Sequence, residues 1–280
     1  MDRTHNNQKL DINALQWHYL KGDGDFRSAE VTALRDEADF IITNPPFSLF
    51  REFLAWIMQG HKKCVIIGNM NAITYKETFK YIQSNELWLG NGFAGGNAFF
   101  KELSPQKVYA NGVYDETTGL VKFRNCCWFT NIDHGKRHQP LSLMTMEENL
   151  KFSRHKEIRQ NGYQKYDNYD AIEVPFTDAI PSDYPGVMGV PISFLDKYCP
   201  EQFEIMGATQ RGCHNLVPDI RKYDSYWEVK QNGERTGSSG NKTNENANIL
   251  GNDGIKNYFI NSAGRIIQSV YQRLFIRSKK

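Results

Sequence analysis

Residues 39–58 read DFIITNPPFSLFREFLAWIM, and this stretch decides the predicted fold. Its first part, Asp39–Thr43, is a largely apolar run that predicts a buried strand. The later part carries apolar residues at the spacing of one helix face, and Gly60 is typical of the position where such a helix ends. The tetrapeptide Asn44-Pro45-Pro46-Phe47 joins the two parts. The stretch therefore predicts a strand, a stiff turn and an amphipathic helix in succession.

Strand and helix patterns also alternate on both sides of this unit. Residues 15–20 and Cys64–Gly68 predict two further strands. Ser28 is placed to cap a short helix, and Thr74 with Glu77 has the capping-box spacing that opens another helix. Such alternation predicts an α/β domain in which a parallel sheet lies between helices.

Two polar motifs follow predicted strands. Gly22–Phe26 comes after the strand at residues 15–20, and Asn44–Phe47 comes after the strand at Asp39–Thr43. Ligands of parallel sheets bind beyond the carboxyl ends of the strands. We therefore expect both motifs to lie at one cleft.

From about residue 90 the pattern changes. Cys126–Thr130 predicts another strand, and Arg273–Arg277 alternates like an amphipathic strand. Residues 231–254 are rich in Gly, Ser, Asn and Thr and predict a mobile loop. We expect a catalytic core over residues 1–135 and a mixed α+β region over residues 136–280.

The tetrapeptide carries groups that suit one reaction. Two consecutive prolines restrict the backbone, so that the side-chain oxygen of Asn44 and the carbonyl oxygen of Pro45 converge on one point. Two such acceptors would hold the hydrogens of an adenine amino group and localise its lone pair for attack on a sulfonium methyl group. Phe47 would stack on a base that has left the duplex. The motif predicts Asn44, Pro45, Pro46 and Phe47 as catalytic residues; the alternative is a proline-rich turn without chemistry.

The overall composition excludes few classes of function. The 280 residues carry a net charge of +2, which neither requires nor excludes nucleic acid as a partner. No apolar run is long enough to span a membrane, and the first residues lack the apolar stretch of a signal peptide, so we expect a cytoplasmic protein without membrane contact. Five cysteines, none in a C-x-x-C pair, favour reduced thiols.

The last segment is basic. It holds no acidic residue after Asp253 and includes five basic side chains that we expect to contact DNA phosphates: Arg265, Arg273, Arg277, Lys279 and Lys280. A solvated tail without a ligand is the alternative.

Five blocks of sequence resemble one family, the EcoRI-type adenine-specific DNA methyltransferases. In order they are FIITNPPFSLFREF, VIIGNMNAITYKETF, WFTNIDHGKRHQPL, YDNYDAI and GVMGVPISFLDKY. The similarity extends from about Leu20 to Gly207 and returns faintly in the last dozen residues.

The resemblance implies a Rossmann-like sheet, S-adenosylmethionine as methyl donor and duplex DNA as substrate in a restriction–modification system. Asn44, Pro45 and Phe47 match the catalytic motif of the family. Asp25 and Phe26 look like the pair that contacts the adenine of the cofactor, together with Asn44. Asn69 and Asn71, just past the strand at Cys64–Gly68, are expected to face the same cleft and the DNA; turn-forming asparagines are the alternative.

One part of the family pattern is not found. The glycine-rich cofactor loop and the ribose-binding acid should precede Asp25, and the residues before Asp25 contain neither. We therefore expect the sheet to lack its first strands, and a partner chain or another segment to supply the cofactor loop.

Four other functions remain as alternatives. The first alternative is a non-catalytic remnant or split-enzyme subunit. The second is an enzyme that methylates a protein glutamine with the same tetrapeptide. Asp219 with Glu228 and Lys230 has the spelling of a magnesium-dependent nuclease. Cys126, Cys127, His134 and His138 have in part the spacing of a zinc site, but adjacent cysteines rarely bind one tetrahedral ion, so no metal is expected.

Overall fold

The computed structural model describes residues 19–90, 98–101, 108–123, 125–209, 220–238, 244–251 and 257–279. Within these ranges, the helices are α1 (Ala29–Glu37), α2 (Phe50–Gln59), α3 (Lys76–Gln83), α4 (Met146–Phe152) and α5 (Lys156–Asn161). The strands are β1 (Phe40–Thr43), β2 (Lys63–Asn69), β3 (Trp88–Leu89), β4 (Ala98–Lys101), β5 (Tyr114–Asp115), β6 (Leu120–Phe123), β7 (Cys126–Thr130), β8 (Ala171–Glu173), β9 (Val187–Pro191), β10 (Phe203–Ala208), β11 (Tyr226–Lys230), β12 (Asn248–Leu250), β13 (Asn257–Asn261), β14 (Ile266–Ser269) and β15 (Arg273–Ser278).

The first sheet has the strand order β1-β2-β7-β3. Strands β1 and β2 are parallel, with Phe40 opposite Lys63, whereas β7 runs antiparallel to both β2 and β3. The predictions of strands at Cys64–Gly68 and Cys126–Thr130 are therefore confirmed. The sheet is therefore mixed. Strand–helix alternation predicted parallel strands only, whereas β7 runs antiparallel to both of its neighbours.

Helix α2 forms where the apolar spacing predicted it. It buries Phe50, Leu54 and Ile57 against the sheet and ends at the capping residue Gly60. Burial of each such side chain contributes about 1.5–3 kcal/mol. The ring of Phe50 packs on Phe129 of β7 at 5.1 Å between centroids. Helix α2 therefore fixes the position of the turn that precedes it.

Strand β1 is less buried than its sequence predicted. It lies at the end of the first sheet, and Ile42 is 71% exposed, with Phe40 also exposed. Helix α1 begins at its predicted cap, because the Ser28 hydroxyl accepts from the Val31 N–H at 3.2 Å, but α1 buries none of its residues. The prediction of a buried strand here is wrong, since no described element covers this face of β1.

The predicted capping box at Thr74 is also wrong. Helix α3 begins after Tyr75, and the Thr74 hydroxyl donates to the Asn71 carbonyl at 3.0 Å instead of capping the helix. A true capping box opens α4, where the Thr145 hydroxyl and the Glu148 side chain each bond the other's backbone.

Three further sheets complete the described structure. Their strand orders are β10-β15-β9-β8, β11-β13-β14-β12 and β4-β6-β5. The predicted strand at Arg273–Arg277 is confirmed as part of β15, but it lies inside its sheet with Phe275 buried on one side and Leu274 and Ile276 on the other. The loop predicted for residues 231–254 is wrong in part, because it includes β12, in which Asn248 and Ile249 are buried.

One buried cluster contains residues from both sides of position 135. Its members include Phe129 of the first sheet and Ile172 of β8. Phe194 and, from β15, Leu274 also belong to it. The division at residue 135 stays a prediction. None of the helices in the described part of the chain combines the length and the apolarity needed to cross a bilayer.

His138 forms a charged link within the described structure. Its Nε2 lies 2.8 Å from an Asp133 oxygen and its Nδ1 lies 2.7 Å from Glu201, and these hydrogen bonds, to Asp133 first, raise the pKa of His138. Arg137 also contacts Asp133, at 2.9 Å. Since the folded pKa is raised above about 6.5, the stabilisation is complete below that pH and is lost as the pH rises through the folded pKa.

We therefore expect the melting temperature to fall slightly as the pH rises above about 6.5, and this fall to be smaller in His138→Gln. Calorimetry of both proteins between about pH 5.5 and 8.5 checks it. A variant that keeps the full pH dependence of the parent protein would exclude His138 as its source.

Candidate active site

The tetrapeptide follows β1 directly and leads into a 3₁₀ turn at Phe47–Leu49. Pro46 has a φ of −55°, and its carbonyl accepts from the Leu49 N–H at 3.0 Å. Pro45 is buried, whereas Asn44 and Phe47 are exposed. The two prolines thus anchor the turn and present the residues on either side of them to solvent.

The acceptor groups of Asn44 and Pro45 are unused. The Asn44 side chain forms no hydrogen bond with any described residue, and the Pro45 carbonyl also accepts none from the described part of the chain. An exposed asparagine next to a fixed turn is therefore available to bind an external donor.

Phe47 lines an open cavity of about 590 Å³. Its ring is 40% exposed. The other lining residues come from α2 and from the start of α3: Ser48, Arg51, Glu52, Ala55, Tyr75 and Glu77. The volume lies within the range of about 300–1,000 Å³ that is typical of small-molecule sites.

Arg51 and Tyr75 are residues of this cavity that the sequence did not single out. The Arg51 guanidinium lies over the Tyr75 ring, 4.3 Å from its centroid, and 3.8 Å from a Glu77 oxygen. Position 51 lies four residues after Phe47, and this spacing places two side chains on one side of a helix. That spacing was the available signal for Arg51, whereas Tyr75 reaches the cavity only through the tertiary fold.

Asp25 and Phe26 lie beside α2. Both oxygens of Asp25 accept from Arg27, whose hydrogen bonds lower the pKa of Asp25 to about 2. Arg27 also lies 3.3 Å from Glu52, which lines the cavity beside Phe47. The Phe26 ring packs edge-on against Phe53 at 5.1 Å, and it stays partly exposed. The structure thus connects Asp25 to the cavity wall through Arg27 and Glu52.

Asn69 and Asn71 lie at the carboxyl end of β2, beside the end of β1. The Asn69 side chain accepts from the Asn71 N–H at 2.9 Å and caps the 3₁₀ turn Met70–Thr74. Asn71 is exposed. Of the two, Asn69 has the turn-forming role, and the Asn71 side chain is open to the surface.

The three arginines predicted to contact DNA differ in their surroundings. Arg265 is about half exposed and pairs with the buried Asp167 at 2.9 Å. Arg277 is also about half exposed and pairs with Glu204 at 2.8 Å.

Arg273, in contrast, is largely buried. Its side chain is 11% exposed and pairs with Glu173, which is 9% exposed, at 2.5 Å. A guanidinium in this position is committed to an internal carboxylate. Arg273 is therefore the least exposed of the three arginines, and its contact with DNA stays a prediction.

Several groups named for the nuclease and zinc alternatives bond other parts of the described structure. Asp219 lies outside the described residues, and Glu228 accepts from the Thr236 hydroxyl at 2.6 Å. His134 bonds the Leu89 carbonyl, and Cys126 and Cys127 are buried residues of β7 that form no disulfide with a described residue. Among the described residues, no group of three His, Cys, Asp or Glu side chains is arranged to hold a metal ion.

Comparison with known proteins assigns the family. A profile of the family "Adenine-specific methyltransferase EcoRI" matches residues 1–279. The Type II methyltransferase M.EcoRI of Escherichia coli is 42% identical over 203 residues, which cover 72% of this chain and 60% of that protein. The Type II methyltransferase M.MpnI of Mycoplasma pneumoniae is 35% identical over 192 residues, or 67% of this chain and 57% of that protein.

The chain spans about three fifths of the length of these curated relatives. No solved structure gives a significant match. Because the family profile covers nearly the whole chain, and the relatives agree with it, the chain belongs to the EcoRI family of adenine-specific methyltransferases.

Proposed function

We propose that this chain is the catalytic and DNA-contacting part of a site-specific DNA adenine-N6 methyltransferase of a restriction–modification system. The observation that carries the proposal is the exposed Asn44 amide, which bonds no described residue and lies on the same turn as Phe47, a residue of the cavity wall. Family membership supports the same activity, since the relatives are named Type II methyltransferases.

The tetrapeptide performs the positioning. The Asn44 side-chain oxygen and the Pro45 carbonyl accept the two hydrogens of the everted adenine's amino group and draw its lone pair out of conjugation with the ring. Phe47 stacks on the base and offsets part of the cost of removing it from the duplex. Because the prolines hold the acceptors in place, little orientational freedom remains to be lost in the reaction.

S-adenosylmethionine, when bound, supplies the methyl group as a sulfonium electrophile. Asp25 and Phe26 are the residues of this chain that would hold its adenine. They fit this role once Arg27 leaves Asp25, and the exchange is inexpensive because an exposed ion pair contributes little. Asn44 would then lie between the cofactor and the target base.

The free edge of β1 supports a Rossmann-like sheet that continues beyond the strands described. An exposed apolar edge strand is a site for pairing with another strand. We infer that the additional strands pair with β1 and carry the glycine-rich cofactor loop, either from residues outside the described ranges or from another polypeptide. A helix that accompanies those strands would cover the face of β1 where Ile42 and Phe40 are exposed.

The DNA would lie across the edge that carries Asn44 and Asn71. Asn71 is exposed there, and Arg265 and Arg277 offer positive charge elsewhere on the surface. Phosphate contacts of such arginines give affinity that falls as the salt concentration rises.

The experiment that tests the proposed function is methyl transfer from labelled S-adenosylmethionine to duplex DNA, with the modified nucleoside identified by mass spectrometry. We expect N6-methyladenine within a single sequence context. Label in a protein glutamine, or in no acceptor although duplex is bound, would contradict the proposal.

Phe47→Ala is expected to lower methyl transfer by about 5- to 150-fold, because base–aromatic stacking contributes about 1–3 kcal/mol per base. Phe47→Tyr keeps the ring and should keep most of the rate. Single-turnover methylation with both variants checks this. Equal rates for Phe47→Ala and the parent protein would show that the ring does not touch the target base.

A further inference from the structure

Tyr271 is a strongly exposed aromatic residue at a defined position. It lies in the connection between β14 and β15 and is 90% exposed. An aromatic side chain gains free energy on burial, and it packs well on flat apolar surfaces such as other rings. A ring that the protein leaves uncovered is therefore available to an external partner.

Hydrogen bonds from the Arg273 side chain hold the loop that carries Tyr271. Arg273 donates from Nη1 to the carbonyls of Tyr271 at 3.2 Å and of Gln272 at 3.3 Å. Arg273 is in turn held by Glu173, with Nε 3.0 Å from both carboxylate oxygens. The Tyr166 hydroxyl donates to the same carboxylate. A buried ion pair thus presets the loop, so that little conformational entropy is lost when Tyr271 binds.

The loop stands at the edge of the candidate active site. The Gln272 side-chain oxygen lies 3.5 Å from the Thr74 hydroxyl. Thr74 ends the turn that follows β2, and the next residue, Tyr75, lines the cavity together with Phe47. Tyr271 therefore lies on a loop that is joined to the turn at the carboxyl end of β2, which leads into the cavity that is proposed to receive the adenine.

Polar side chains surround a second cavity next to Tyr271. It has a volume of about 320 Å³. Its wall includes the polar residues Asn161, Gln164, Gln268 and Ser269 and the charged residues Glu157, Glu173 and Arg273. The buried side-chain oxygen of Gln268 has no hydrogen-bond partner among the described residues. Amide side chains are the groups that read adenine edges in duplex DNA. The amide groups beside Tyr271 thus offer hydrogen bonds to the edge of a base.

We infer that Tyr271 is a DNA-contacting residue that stacks on a base next to the everted adenine and stabilises the opened duplex. The inference rests on the proposed function, since it assumes that the protein binds duplex DNA and everts an adenine. It adds a residue outside the five sequence blocks that resemble the family, and it gives the buried Glu173–Arg273 pair a role in positioning the loop.

The test uses 2-aminopurine at the target adenine of the sequence that the methylation experiment identifies. In the parent protein, binding should raise its fluorescence as the base leaves the stack. Tyr271→Ala should reduce this rise and weaken duplex binding by about 5- to 150-fold, the range that stacking on one base accounts for. Tyr271→Trp should retain both. Tyr19→Ala, which removes a tyrosine that is 98% exposed, is the matched control and should behave like the parent protein.

The melting temperature should be unchanged in Tyr271→Ala, because the ring contributes almost no burial. If Tyr271→Ala matches the parent protein in fluorescence and in affinity, the inference is overturned while the proposed function stands. If the parent protein itself neither methylates the duplex nor raises the fluorescence, the proposed function fails and the inference fails with it.

Discussion

Asn44→Ala is expected to lower methyl transfer by about 100- to 1,000-fold while it leaves duplex affinity and melting temperature almost unchanged. The substitution removes one of two acceptors for the adenine amino group, and removal of a single preorganised hydrogen-bonding group from an active site has effects of this size. The fold should be unaffected, because Asn44 is exposed and bonds no described residue. Single-turnover methylation, duplex titration and calorimetry measure the three quantities.

Asn232→Ala is the control, since it removes the same side chain from an exposed turn after β11, where the Asn232 oxygen accepts from the Glu234 N–H at 3.1 Å. It should retain full activity. A parallel loss of methylation, binding and stability in Asn44→Ala would assign Asn44 a structural role, and full activity would remove it from the catalytic set.

Glu173→Ala is expected to destabilise the protein by about 3–5 kcal/mol, because it leaves the buried Arg273 without its counter-ion. For a chain of this length the corresponding fall in melting temperature is roughly 5–10 °C. Glu204→Ala is a matched control that breaks the other ion pair of β15, between Glu204 and Arg277. That pair is about half exposed, so its loss should cost less than about 1 kcal/mol.

A double variant separates charge from packing. Glu173→Leu combined with Arg273→Met removes both buried charges, and apolar replacement of a buried pair is often neutral. We expect it to recover much of the stability that Glu173→Ala loses. If Glu173→Ala costs no more than Glu204→Ala, the pair is not the internal anchor described above.

Local patterns predicted the elements that depend on local chemistry. Helix α2 and strands β2 and β7 could be predicted from their apolar residues, because helix and strand periodicities depend only on residues that are close in sequence. The Ser28 cap was predicted for the same reason. The tetrapeptide was found because its unusual composition follows a strand and precedes a helix.

The predictions that were wrong concern partners distant in sequence. Thr74 had the spacing of a cap, but its hydroxyl lies 3.5 Å from Gln272, 198 residues away, and donates to the Asn71 carbonyl instead of capping α3. Arg273 was read as a surface cation because Glu173, its partner, lies 100 residues away. The apolar character of β1 correctly indicated a strand, but it did not show that one face would lack a covering element.

The central claim is that an everted base lies against Phe47, and photo-crosslinking tests it most directly. A duplex with 5-iodouracil at the target position is bound and irradiated, and the tryptic peptides are analysed by mass spectrometry. The account predicts attachment to the peptide Asp36–Arg51, at Phe47. Attachment confined to other peptides, from a duplex that is bound with full affinity, would contradict it.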